Sequence, residues 1–496
     1  MKRSRTHSVD AMIDGYTGNR ALTLGLACVA MLAAACMPAS RAQARTGTKD
    51  RDVTSAIETN LLINDEVPSQ NIDVSTKDGV VTLSGSVYNI LARDKATEIA
   101  ESIKGVRSVV NEIAVKPVFR SDEEIRGDVM DALATDPATD SYLISVTVND
   151  GDVTLAGKVD SYGEKRLCNE VAEGVRGVKK VTDQIRVDYK TKRPDQEIAQ
   201  EIEAQLRDDV RIDAERIAVK VRDGNVKLSG TVPSAAEKTR ATSTAWVAGV
   251  YSVDAKGLDV EWFAPGNMQN ESTYVSRTDD QIKKAVHDAL LQDPRVWSFD
   301  VTADSDYGVV TLSGIVDNLK ASKAAAEDAR DTVGVWRVKN HLKVRPAAYV
   351  SDEQIISTVK AGLKRNPFLN RYDIDVSAYN GKVYLYGKVD SEFDKKEAED
   401  VAFRVNGVIE VADDLSVRKQ SSWKSDWEIE QGVDDQLYWD TDVDATKVDV
   451  SVHDGVVTLT GDVDTWHEYM AAAKDAFLGG ARELRNDLHM EHAPRS

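Results

Sequence analysis

The side chains that most often do chemistry are few and scattered along these 496 residues. A nucleophilic thiol, a set of imidazoles or a pair of carboxylates would each need partners gathered in one place before it could act. Cys168 stands nine positions before Gly177, in the register that Ala96 and Ala398 hold in two other stretches of the same pattern. That register lies on a packed helix face, so the thiol reads as buried and inert. His287, His341, His453 and His467 occupy four unrelated places in the pattern, which argues for solvent exposure. His489 and His492 near the end supply two ligands, fewer than a stable metal site uses. Asp442 and Asp444, like the other Asp-x-Asp pairs, lack the spacing and glycine of a calcium loop. No catalytic set, metal site, cofactor or small-molecule substrate follows, and the chain reads as non-enzymatic.

What does recur is glycine at fixed spacing. A pattern of turn residue, Gly, x, Val, x, Leu, x, Gly, x, Val runs from Asp78-Gly79, Asp150-Gly151, Asp223-Gly224, Asp454-Gly455 and, with small variations, from Tyr307-Gly308 and Asn380-Gly381. Asp-Gly or Asn-Gly between alternating apolar residues marks a tight hairpin, because both turn residues must take positive φ. Gly79, Gly151, Gly224, Gly308, Gly381 and Gly455 are therefore expected at hairpin tips. Gly85, Gly157, Gly230, Gly314, Gly387 and Gly461 lie on the buried face of the second hairpin strand, where a missing side chain lets a helix come close or marks a bulge.

Helices must carry these hairpins. Before each one, an aliphatic triplet at i, i+4, i+8 paints one helical stripe: Val53, Ile57, Leu61; Ile125, Val129, Leu133; Ile198, Ile202, Leu206; Ile282, Val286, Leu290; Ile355, Val359, Leu363; Ile429, Val433, Leu437. Capping boxes at Ser121/Glu124, Thr278/Gln281, Ser351/Gln354 and Ser425/Glu428 mark where four of these helices begin, and Pro194 opens the third without a cap. A second amphipathic helix follows each hairpin. A glycine 19 or 20 positions beyond the strand glycine, from Gly105 to Gly480, is expected to close it as a left-handed cap. A third strand then shows apolar residues at +4, +8 and +10 from that glycine, except in the third copy, where Val253, Leu258 and Val260 have slipped by one and predict a bulge.

The unit is helix, strand, strand, helix, strand, and it occurs six times: 52–117, 119–190, 193–262, 277–346, 350–418 and 424–490, with a linker at 263–276. The predicted fold class is α+β: six tandem αββαβ modules, each with two helices packed on a three-stranded mixed sheet. This order, the DG-VxLxG-V hairpin and the Gly-Val after the second helix resemble the BON domain. The resemblance covers almost all of the chain beyond residue 44. It implies an envelope protein of the kind that includes osmotically inducible periplasmic proteins and outer-membrane lipoproteins, associated with envelope integrity under osmotic stress and with phospholipid contact. A chaperone-like or assembly scaffold binding other envelope proteins is the alternative the module order leaves open.

The first 44 residues read as a cleaved signal peptide, with Lys2, Arg3, Arg5 and Arg20 ahead of an apolar run from Ala21 to Cys36 and Ala42-Gln43-Ala44 at the cleavage point. A periplasmic location follows. Cys36 offers the other route, lipidation as an outer-membrane lipoprotein. Loss of residues 1–44, with five basic and two acidic side chains, takes the formal charge from −20 to −23, which argues against nucleic acid as a partner. Cations gather only locally, at Lys320, Lys323, Arg330, Arg337, Lys339, Lys343 and Arg345, and at Lys360, Lys364, Arg365 and Arg371. Lys320, Lys323, Arg330, Arg337 and Lys339 are the candidate contacts to phospholipid headgroups; a solvated face is the other reading of the same residues.

Overall fold

The computed structural model describes residues 48–139, 143–261, 277–296, 300–418 and 424–490. The expected signal peptide, Cys36, linker residues 263–276 and His492 lie outside the described residues. Six first helices, each of 14 residues and each opening on aspartate, run Asp50–Ile63, Asp122–Thr135, Asp195–Asp208, Asp279–Gln292, Asp352–Arg365 and Asp426–Trp439. The four expected capping boxes are formed, and Pro194 precedes the third helix with no side-chain cap. Second helices run Ile90–Glu101, Tyr162–Glu173, Ala235–Thr244, Leu319–Arg330, Glu392–Phe403 and Trp466–Gly479.

Every module carries a sheet in which the middle strand pairs antiparallel with the first and parallel with the last. In module one Ile72–Lys77 pairs with Val80–Val87, and Val81 and Leu83 of the latter are fully buried beneath Ile57 and Leu61 of the first helix. Each such aliphatic side chain contributes roughly 1.5–3 kcal/mol by leaving water. One face of each sheet is thus covered by its two helices, and the alternate residues face outward. The last strand of module three, Ser252–Val260, shifts register between Lys227 and Ser229 of its partner, which is the bulge the slipped spacing predicts.

The glycines 19 or 20 residues past the strand glycine do take positive φ, from 88° at Gly334 to 119° at Gly480. Only Gly480 caps its helix directly. Elsewhere the second helix stops earlier, as at Glu101 with Ser102 as C-cap, and residues such as Ile103 and Lys104 form a short turn before the glycine. The expectation of a direct cap fails in five modules, and in modules one, two and four that turn is bonded to another module instead.

Those contacts fold the array back on itself. The Lys104 amide donates to the Trp439 carbonyl at 3.0 Å and the Thr441 amide to Ser102 at 3.1 Å, joining module one to six. The equivalent bonds, Val333 to Asp208 at 2.8 Å and Val210 to Asp331 at 2.9 Å, join four to three. Between two and five one of the two equivalent backbone bonds is present, from the Arg176 amide to the Arg365 carbonyl at 2.8 Å. The reciprocal donor would be Pro367, which has no N–H. Within the first three modules the contacts close a cycle: Ile90 packs into the core of module two, Tyr162 stacks on Trp246 of module three at 3.9 Å, and Ala235 of module three packs into the core of module one.

Candidate binding surface

The residues with chemical potential are dispersed. Cys168 is fully buried, and burial, helped by the nearby Glu164 and Asp136 carboxylates, pushes its thiol up to about 12, far from a reactive thiolate. His287, His341 and His453 are exposed. His467 is not, against expectation: it is three-quarters buried and its Nε2 lies 3.2 Å from Asp442 Oδ2. Burial opposes charge on Asp442, but the His467 hydrogen bond and the His467 and Arg240 charges outweigh it and hold the carboxyl at about 2. Asp440 and Asp444, for their part, accept the amides of Asp442 and Thr446 at 2.7 and 3.1 Å, as turn-forming aspartates do. Among the described residues no cluster of three or more His, Cys, Asp or Glu is placed to hold a metal ion.

The glycines sit in tight backbone. Asp78 and Gly79 have φ of 51° and 74°, and all six hairpin tips share that geometry. At Gly85, φ 114°, a Cβ would meet the Asn71 carbonyl oxygen at 2.0 Å. The close neighbour is therefore the chain entering the first strand and not a helix.

The five candidate cations separate into two groups. Lys320 Nζ reaches both Asp136 oxygens of module two at 2.9 and 2.7 Å, with side chains only 14% and 4% exposed, and Lys323 pairs with Asp400 of module five at 2.5 Å. Both are spent on module boundaries. Arg330 is half-buried at the end of its helix. Arg337 and Lys339 are exposed on the last strand of module four, Arg337–Asn340 continuing at Lys343–Val344. Because Val338, Leu342 and Val344 point into the core, Arg337, Lys339, His341, Lys343 and Arg345 share the outward face. Among the described residues none of the four permanent cations in this row forms an ion pair. The same strand carries Ser108, Val110, Glu112 and Ala114 in module one and Glu410, Ala412, Asp414 and Ser416 in module five. Trp427 is 68% exposed, and Trp423, four residues before it, lies outside the described residues.

With this repeated unit in hand, a family comparison is decisive: the profile of the BON domain matches residues 49–117, 121–189, 194–261, 278–346, 351–419 and 425–491. The chain belongs to the BON-domain family. The osmotically-inducible protein Y of Escherichia coli (strain K12) is 32% identical over 146 residues, 28% of this chain and 73% of that protein. The outer membrane lipoprotein DolP of Haemophilus influenzae is 28% identical over 147 residues, 27% of this chain and 74% of that protein. Among solved structures, CdsD, a structural protein of the type III secretion system of Chlamydia trachomatis, aligns at 17% identity over 45% of this chain and 93% of that chain with a TM-score of 0.13, too slight a likeness for argument.

Two features of these BON modules escaped the sequence reading. The aspartate that opens each first helix clamps the hairpin tip of its module: Asp50 Oδ2 and Oδ1 accept the Asp78 and Gly79 amides at 2.8 and 3.1 Å, and Asp122, Asp195, Asp279, Asp352 and Asp426 repeat the arrangement. The Asn or Asp that ends each first helix accepts the amide two residues on, from Asn64 with Glu66 at 2.9 Å to Asp440 with Asp442 at 2.7 Å. The signal was present as a constant 28-residue spacing from the opening Asp to the turn residue.

Proposed function

We propose that this BON-domain protein is a non-enzymatic component of the bacterial envelope, exported by residues 1–44 to the periplasm, that docks on anionic phospholipid surfaces and supports the envelope under osmotic stress. The names of its relatives, one osmotically inducible and one an outer-membrane lipoprotein, support the compartment and the condition. The observation that carries the lipid reading is the row Arg337, Lys339, Lys343 and Arg345, four cations on one exposed strand face of a chain whose formal charge is −20. Each cation near a charged leaflet contributes on the order of 1 kcal/mol, so four in a row outweigh the thermal energy several times over. Repulsion of the acidic remainder is screened beyond about 10 Å at moderate salt, which lets a local basic row act in an acidic protein. Among the described residues no helix is long and apolar enough to cross a membrane. In this reading attachment is through the sheet face, with lipid on Cys36 as the alternative.

Vesicle flotation tests this. The full chain lacking residues 1–44 floats with vesicles containing phosphatidylglycerol at low salt and not with phosphatidylcholine alone. Arg337→Glu with Lys339→Glu and Lys343→Glu abolishes it. Absence of the wild-type chain from the phosphatidylglycerol fraction at low salt would remove the lipid claim.

A further inference from the structure

The helix position 14 residues past the strand glycine is Ile99, Val171 and Val401 in modules one, two and five, and Thr244 in module three. In modules four and six it is aspartate, Asp328 and Asp475. Asp328 is half-buried and Asp475 buried, and each holds an Oδ2 that is out of water and without a hydrogen-bond donor. Asp475 is 2% exposed. Each also faces the carboxylate that ends the first helix of its own module, Asp293 or Asp440.

The two modules treat this like-charge contact differently. In module four Arg295 lies alongside, its Nε donating to Asp293 at 2.9 Å. In module six the residue at the place of Arg295 is Asp442, so the counterion is replaced by a third carboxylate, and Asp442 is held by His467 and by the charge of Arg240 from module three. What remains near Asp440 and Asp475 is Lys474 of the same helix and Lys104 of module one, with Asp444 and Glu468 adding further negative charge around Lys104. The Lys104 ammonium donates to the Val443 carbonyl at 3.1 Å. Burial first, and the Asp440 charge next, drive the Asp475 carboxyl well above the usual carboxylate range, and burial followed by the Asp442 charge drives Asp440 upward. The two carboxyls lie close enough to interact directly, and a contact between two carboxyls is attractive only when one of them keeps a proton.

This pair stands at the contact that closes the array. The carbonyl before Asp440 receives the Lys104 amide and the amide after it donates to Ser102. Behind them is a cavity of about 910 Å³ lined by five modules, including Asp440, Asp442, Lys474 and Asp475. We infer that Asp440 and Asp475 hold one proton between them and that its loss loosens the contact between modules one and six, so that the array opens as pH rises. Two carboxylates in contact away from water cannot both ionise without moving apart or admitting water. The sign follows: folded-state protonation above the ordinary value gives stability that is complete at low pH and lost as pH climbs through the value of the pair. Asp475→Leu restores the aliphatic side chain of modules one, two and five and removes the proton.

Hydrogen exchange read by mass spectrometry tests this on the full chain, following peptides that span residues 100–107 and 436–443. Opening constants corrected for intrinsic exchange rise with pH in the wild type, by no more than about tenfold per unit for one proton. The rise is smaller in Asp475→Leu, and in Asp475→Asn should the leucine variant fail to fold, because Asp440 keeps its burial and its Asp442 neighbour. A wild-type contact indifferent to pH between about 5 and 9 overturns the inference. So does a rise that neither substitution diminishes.

Discussion

The Lys104 amide lies 3.0 Å from the Trp439 carbonyl oxygen, so the turn after the second helix of module one is bonded to the last residue of the first helix of module six. The Trp439 ring is half-buried against the core of module one, so this contact has an apolar component as well as two backbone hydrogen bonds. Trp439→Ala leaves those bonds in place and removes the ring. Truncating a fully buried Trp costs about 3–5 kcal/mol, and a half-buried one about 2. Exchange at the Lys104 amide accelerates by roughly thirtyfold if that loss falls on the junction. Unchanged exchange there would mean that the backbone bonds hold the junction alone.

Lys320 and Asp136 make the buried ion pair between modules four and two. Burial pulls the Lys320 ammonium down from its ordinary value, and the Asp136 charge opposes that pull. Lys320→Met deletes the charge and keeps the stem, which strands Asp136 in a site 4% exposed. The expected destabilisation is about 3 kcal/mol, because the unpaired carboxylate is what costs. Asp136→Asn in the same chain keeps the acceptor for the Ala138 amide and recovers much of it. Denaturant unfolding of the two single variants and the double variant measures the coupling, and additive losses would show that the pair contributes nothing specific.

The same pair shows where reading from sequence stops. Strand alternation around Asp78-Gly79, the stripe Val53, Ile57, Leu61 and the slip at Leu258 are set by residues within one turn or one strand, and all appear in the fold. Lys320 has the look of a free surface cation because positions 323 and 324, where its helix would place a partner, are Lys and Ala; its partner lies 184 residues away and arrives only when the modules pack. Asp50 was hidden for a different reason. An acidic residue in the first turn is explained by the helix dipole alone, and nothing local says that both its oxygens reach the hairpin tip. The row Arg337, Lys339, Lys343 and Arg345 was legible as charge, but only the parallel register with Val309–Val316 puts all four on the outward face.

The clamp in module four titrates. The Gly308 amide, then the Ser305 hydroxyl, then the Tyr307 amide hold the Asp279 carboxyl below its ordinary value against a small opposing effect of burial. A depressed carboxyl contributes stability that is present above the unfolded value, about 3.8, and lost as pH falls through the folded one. Asp279→Asn keeps one acceptor and cannot ionise. It costs about 1 kcal/mol at neutral pH, after allowance for solvent screening of so exposed a group. As pH falls through that depressed value the variant and the wild type converge. Exchange at the Gly308 amide across that range checks both statements, and a gap that persists in acid would contradict them.

Tyr307 occupies the first turn position that Asp or Asn holds in the other five hairpins, at φ 48°. A left-handed conformation costs a residue with an ordinary Cβ about 1 kcal/mol or more, and Asn or Asp less because the short polar side chain bonds locally. The ring is 70% exposed, so little packing is lost when it is removed. Tyr307→Asn therefore stabilises module four by about 0.5–1 kcal/mol. The gain falls on the hairpin Val301–Asp306 with Val309–Val316 and so also on the strand that carries the cationic row. Slower exchange in that hairpin, with vesicle binding unchanged, is the expected pair of results. A faster exchange would mean that the tyrosine makes a contact worth more than the strain it imposes.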